Sequence, residues 1–142
     1  MKTLTFSIIL LLLGLTVQAQ SVLGKWKTVD DATGEEKSIV EIYQENGKVY
    51  GKVSEIRDKS EENKLCDKCS GANKDRPILG MVIINGLEKN ENTWEDGTIL
   101  DPESGKVYKC YITLESKDKL KVRGFIGFSL LGRTQYWSRV QE

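Results

Sequence analysis

The chain has 142 residues, with 21 basic and 21 acidic side chains and no histidine. The missing histidine excludes Ser-His-Asp and Cys-His arrangements, imidazole general bases and the usual ligands of catalytic zinc and copper. The balanced charge argues against nucleic acid or an anionic membrane surface as the main partner.

Residues 1–19 read as a cleaved signal peptide. Lys2 supplies the positive start, Leu4 to Val17 is apolar, and Val17-Gln18-Ala19 places small residues at −3 and −1, so cleavage is expected between Ala19 and Gln20. The apolar stretch is shorter than the ~20 residues that span a bilayer. Removing it takes away Lys2 and no acid, which leaves one net negative charge. Residues 20–142 suffice for one domain with one core, which buries roughly two-thirds of the unfolded chain's surface.

Alternation of apolar and polar residues, read with the turn chemistry, predicts about eight strands. The first runs from Leu23 to Val29 and the second from Ser38 to Gln44. Asn46-Gly47 follows, both residues tolerating the positive φ of a type I′ hairpin turn, so Lys48 to Ile56 folds back as the third. From Asp58 to Pro77 the chain is polar, charged and aperiodic, which reads as a long loop. It contains Cys66-Asp67-Lys68-Cys69.

In an oxidising compartment these cysteines read as a local disulfide, and closing so short a ring stabilises by only roughly 2 kcal/mol. Two other readings stand beside it. A thioredoxin-type dithiol requires a helix N-terminus, which Lys64 to Gly71 does not suggest. A structural zinc site requires four N or S ligands, and the chain offers three cysteines. No metal site is therefore expected.

Gly80 to Asn85 and Thr93 to Leu100 are the next strands, the second bulged at Asp96-Gly97. Asp101-Pro102-Glu103-Ser104-Gly105 is a strong turn. In the sixth strand Tyr108, Cys110, Ile112 and Leu114 share one face, which makes Cys110 a buried free thiol. In the seventh, Leu120, Val122, Gly124 and Ile126 alternate with Lys119, Lys121 and Arg123. Leu130-Leu131-Gly132 leads into a last strand from Arg133 to Val140. Adjacent antiparallel strands with apolar faces imply one shared core. Glycines within strand-like runs at 51, 124 and 127 favour the sharp bending of a closed barrel. The expected fold is all-β, a single-domain antiparallel up-and-down barrel whose lumen is filled by side chains or holds one small ligand.

Two sets of side chains are candidates for a site. Arg123, Arg133 and Trp94 would form a cationic and aromatic cup for an anionic or planar ligand. Gly24, Trp26, Trp137 and Arg139 are assigned structural roles, with Trp26 plugging one barrel end and Arg139 covering its ring. Asp30, Asp31, Glu95, Asp96, Asp101 and Glu103 are the carboxylates available for acid–base work, and four of them sit at or beside turns, where Asp caps backbone groups without chemistry. No catalytic residue and no cofactor is assigned.

The series Gly24-Lys25-Trp26-Lys27-Thr28-Val29-Asp30, Cys66-x-x-Cys69, Gly80-Met81, Ile99-Leu100-Asp101-Pro102, Gly105-Lys106-x-Tyr108, Leu120 to Gly127 and Gly132-Arg133-Thr134-Gln135-x-Trp137-x-Arg139 resembles the domain of unknown function 2147 family. The resemblance covers essentially the whole mature chain. It implies a small secreted bacterial protein, periplasmic or extracellular, and brings no catalytic residues with it. Gly24, Trp26 and Arg139 also resemble the pattern of lipocalin-type barrels, and a shared fold does not fix function. The reading that follows is a non-enzymatic small-ligand binder of the cell envelope. An envelope protein-interaction module with a filled barrel and a carboxylate-based hydrolase are the alternatives.

Overall fold

A computed structural model describes residues 20–128 and 130–141. The expected leader and its last residue, Ala19, lie outside these residues, and Gln20 is exposed at their start. Among the described residues, eight strands follow one another in strict antiparallel order: β1 (Gly24–Val29), β2 (Glu36–Glu45), β3 (Lys48–Ile56), β4 (Val82–Asn90), β5 (Thr93–Asp101), β6 (Lys106–Ser116), β7 (Lys119–Phe125) and β8 (Gly132–Arg139). Each pairs with the next, and β1 pairs with β8 at Trp26↔Arg139 and Lys27↔Ser138, which closes the barrel. Closure leaves no open edge on this sheet among the described residues to template association.

The turns obey the local chemistry. Asn46 and Gly47 both take positive φ, 50° and 80°, as a type I′ turn requires. The bulge in β5 falls where Asp96 adopts φ 62°, and the β5–β6 register shifts between Trp94 and Gly97. Gly51 packs inside β3, where a Cβ would stand 3.1 Å from Val40 and 3.2 Å from Ile84. One expectation is corrected: β7 ends at Phe125, so Gly127 belongs to the following turn and takes φ 65°. β4 also runs past Asn85 to Asn90, because Leu87 continues the inward face beyond Gly86.

The segment between β3 and β4 is more ordered than its composition suggests. It holds two short 3-10 turns, Lys59–Glu61 and Gly71–Asn73, and an isolated bridge between Leu65 and Pro77. Asp58 caps the first turn by accepting from the Ser60 amide at 2.9 Å. Backbone bonds from Cys66 N to Arg76 O and from Ile78 N to Lys64 O fold the segment onto itself. Cys66 and Cys69 form a disulfide, and both are buried. Cys66 Sγ lies 3.4 Å from the Pro102 carbonyl oxygen, and a Cβ on Gly105 would overlap the Lys68 carbonyl. The disulfide thus seats the loop against the β5–β6 turn.

The interior is divided along the barrel axis. The half near the β2–β3, β4–β5 and β6–β7 turns is solid, filled by Trp26, Ile42, Val49, Leu87, Ile112 and Leu120, all 2% exposed or less. Cys110 is buried in the same cluster, and removal from water pushes its thiol pKa up to about 12. The other half is hollow.

Candidate functional site

The inward faces of the strands stay apolar toward the other end but change in bulk and packing. Val53, Ile83, Leu100, Val122 and Trp137 form the floor and walls of a cavity of about 790 Å³ that opens between the β1–β2, β3–β4, β5–β6 and β7–β8 connections. Such a volume falls within the ~300–1,000 Å³ typical of small-molecule sites. Ile56, Ile78, Ile99 and Tyr108 continue the apolar wall upward.

Between the floor and the rim, polar side chains are joined in one chain of bonds. The Trp137 indole donates to Gln135 Oε1 at 2.8 Å, and Gln135 Nε2 donates to Asp31 Oδ1 at 2.7 Å and to the Val29 carbonyl at 3.3 Å. Arg133 Nε holds the other Asp31 oxygen at 2.8 Å. One relay therefore runs from the cavity floor to the rim and ties the β1–β2 turn to β8. Beside it the Thr28 and Ser38 hydroxyls share a hydrogen bond of 2.7 Å. The Tyr108 side chain completes the polar set on the facing wall.

The rim is acidic. Eight carboxylate residues line the cavity against Lys37, Lys64 and Arg133. Amide bonds from Thr33 and Ala32 lower the pKa of Asp30, side-chain bonds from Arg57 and Lys27 lower that of Glu36, and the hydroxyl and amide of Ser60 lower that of Asp58. These groups stay ionised at neutral pH. Lys37 pairs with Glu103 and lies 4.0 Å from Asp30.

The three residues expected to form a cup are not brought together. Arg133 lines the cavity mouth. Arg123 lies on the outer face of the wall, since Val122 and Gly124 on either side of it line the cavity, and its guanidinium donates to Thr134 Oγ1 at 2.9 Å. Trp94 begins β5 at the opposite, solid end, pairs across to Lys89, and has that ammonium 6.0 Å from its ring centre. Among the carboxylates, Asp30, Asp31, Asp101 and Glu103 are at the mouth, whereas Glu95 and Asp96 sit at the β5 bulge away from it. The mouth acids have structural partners: Asp30 and Asp101 cap turn amides, and Asp31 and Glu103 hold cations.

Trp26 and Arg139 stand at the solid end. Arg139 places its guanidinium 4.2 Å from the centre of the Trp26 ring. It also donates to the carbonyls of Leu23, Ser21 and Lys117 at 2.9, 2.7 and 2.9 Å. Gly24, with φ 126°, leaves room for this, its missing Cβ lying 3.0 Å from an Arg139 nitrogen.

The site residues that sequence reasoning missed are Thr28, Ser38, Gln135 and the wall residues Ile83 and Ile99. Except for Ile83, which falls at a register shift between β3 and β4, their signal is parity combined with direction. Side chains alternate across each strand, so residues of inward parity near the β1–β2, β5–β6 and β7–β8 turns must face the same end of the lumen.

Comparison with known proteins agrees with this architecture. The family model DUF2147, an uncharacterised protein conserved in bacteria, matches residues 24–139. The solved structure of protein HP1028, from the human pathogen Helicobacter pylori and belonging to the lipocalin family, is similar with a TM-score of 0.77 at 21% identity, covering 87% of this chain and 86% of that one. That likeness is one of fold. No curated protein matches the chain.

Proposed function

The chain belongs to the DUF2147 family and folds as a lipocalin-like barrel, and on that basis we propose that it is an exported cell-envelope protein that binds a small ligand in its half-hollow lumen. The observation that carries this reading is the one-ended cavity of about 790 Å³ over a solid floor. A filled barrel acting only through its surface would have no reason to leave Val53, Ile83, Leu100 and Val122 around open space, because unfilled apolar volume forfeits packing.

The walls select for a largely apolar body, at ~25 cal/mol per Å² of apolar surface removed from water. The rim selects for its polar end. An excess of ionised carboxylates disfavours an anionic head and favours a neutral or cationic one, with Gln135, Tyr108 and the Thr28–Ser38 pair as hydrogen-bonding partners. Export rests on the leader pattern of residues 1–19 and on a disulfide of the kind that oxidising compartments preserve. Among the described residues no helix is long and apolar enough to cross a membrane.

Native mass spectrometry of the protein recovered from its own exported fraction tests the proposal. A discrete added mass that is lost on denaturation is the expected result. Ile99→Trp, which places a larger ring in the cavity, should remove most of that mass while the protein stays folded. A bare mass at several protein concentrations, unchanged in the variant, would sink the carrier reading.

A further inference from the structure

The connection between β7 and β8 is unlike the rest of the surface. Positions 124–132 carry no charge in a chain that is 30% charged. Among them Ile126, Phe128, Leu130 and Leu131 are 61%, 82%, 88% and 69% exposed. Backbone bonds from Ile126 N to Leu131 O and from Leu131 N to Phe128 O hold the turn in shape, with Gly127 in the left-handed region. Four large apolar side chains held in water on one tip invite a function, since each forgoes a favourable burial.

Position narrows the function. Ile126 and Leu131 also line the cavity, so one apolar strip runs from Val122 inside the barrel, over the rim, to Phe128 and Leu130 outside. We propose that this tip docks the protein on a neutral, zwitterionic lipid surface and sets the cavity mouth against it. Three features favour that occupant. A tip of four side chains is far smaller than the ~800 Å² per partner that a stable protein interface or dimer requires, whereas an interfacial anchor needs only a few apolar groups. The tip carries no charged residue with which to specify a protein partner. The acidic rim beside it repels an anionic surface and tolerates a zwitterionic one. The orientation toward the mouth rests on the carrier reading above; the docking itself does not.

The test is flotation of the recovered protein with phosphatidylcholine vesicles, alongside the double variant F128D/L130D and the control Y136D. Any retained leader contributes equally to all three. Both tip positions are more than four-fifths exposed, and circular dichroism checks that the fold is unchanged. Tyr136 is exposed on the outer face of β8, where Lys119 lies 4.6 Å from its ring centre. Wild type and Y136D should float, with F128D/L130D reduced by roughly tenfold or more. Adding phosphatidylglycerol should weaken rather than strengthen the wild-type association. Equal flotation of all three proteins, or none by the wild type, overturns the proposal. So does a concentration-dependent dimer that the tip variant abolishes without any flotation, which would reassign the tip to a second copy of the chain. Native mass spectrometry on the same samples separates the two claims: a ligand mass without flotation rejects docking alone, and flotation without a ligand mass rejects the carrier alone.

Discussion

Two buried tryptophans, one packed within the solid half and one flooring the cavity, are used in opposite ways. Trp26 is wholly buried, donates its indole N–H to the Val22 carbonyl at 2.8 Å and lies beneath Arg139. Trp137, 3% exposed, donates to Gln135 and presents its ring to the cavity. At the solid end one arginine replaces several turns: three carbonyls from the N-terminal segment and the β6–β7 turn converge on it, and its planar fork lets it stack and hydrogen-bond together. At the hollow end closure is divided among four connections and a relay of side chains. Stability is thus concentrated at one end, which leaves the other free to enclose something else.

The sharpest way to break this comparison is to remove each tryptophan. Trp26→Ala should cost about 3–5 kcal/mol in denaturant unfolding, because the solid half cannot collapse around so large a void. Trp137→Ala should cost less, since its ring already borders open space, and should alter ligand occupancy, which Trp26→Ala changes only through unfolding. Equal costs would mean that the cavity is not the less-packed half.

Arg139→Ala comes next. Loss of three charge-assisted bonds and of the stack on Trp26 should cost about 2 kcal/mol or more, read from the urea midpoint. Arg139→Lys should recover only part of this, because an ammonium cannot reach all three carbonyls while covering the ring. A lysine variant as stable as the wild type would show that charge alone, rather than the fork, holds the end shut.

Removing the disulfide with Cys66→Ser and Cys69→Ser tests the rim. The ring is short, so the loss should be roughly 2 kcal/mol in the chain-entropy model, with increased proteolysis of the segment 58–80 rather than of the barrel. General destabilisation without local cleavage would make the staple part of the global fold.

The barrel was legible because its signals are local. Asn46-Gly47, Asp101 to Gly105 and the alternation in β6 and β7 each determine a turn or a face within a few residues, and the strands then have one simple order to follow. The site was less legible because it depends on which end of the lumen a residue faces. Arg123 and Arg133 look equivalent as arginines on late strands, yet Arg123 shares the outward parity of Lys121, while Arg133 shares that of Gln135 and Trp137. Trp94 has inward-facing neighbours but begins its strand at the wrong end. The loop between β3 and β4 is aperiodic in sequence because its order comes from Asp58 capping, the Leu65–Pro77 bridge and the disulfide, none of which leaves a periodic pattern.

The smallest expected effect is set by acid and distinguishes the ends by order of loss. Asp30 and Asp58, both at the hollow end, have pKa values held below the ordinary 3.8 by hydrogen bonds to the ionised form. A carboxylate depressed in the folded state binds its proton more readily when unfolded. Its stabilisation is therefore complete above pH 3.8 and is lost as pH falls through the lower folded value. Hydrogen exchange followed downward from neutral pH should show the amides of Ala32, Thr33 and Ser60 losing protection first, once corrected for intrinsic rate, while those around Trp26 persist. Asp30→Asn should flatten the response of Ala32 and Thr33 and leave that of Ser60 unchanged, since the two caps share no hydrogen bond. Simultaneous loss at both ends would mean that the barrel opens as one unit in acid, and that the division between a solid base and a separately held rim is one of packing alone.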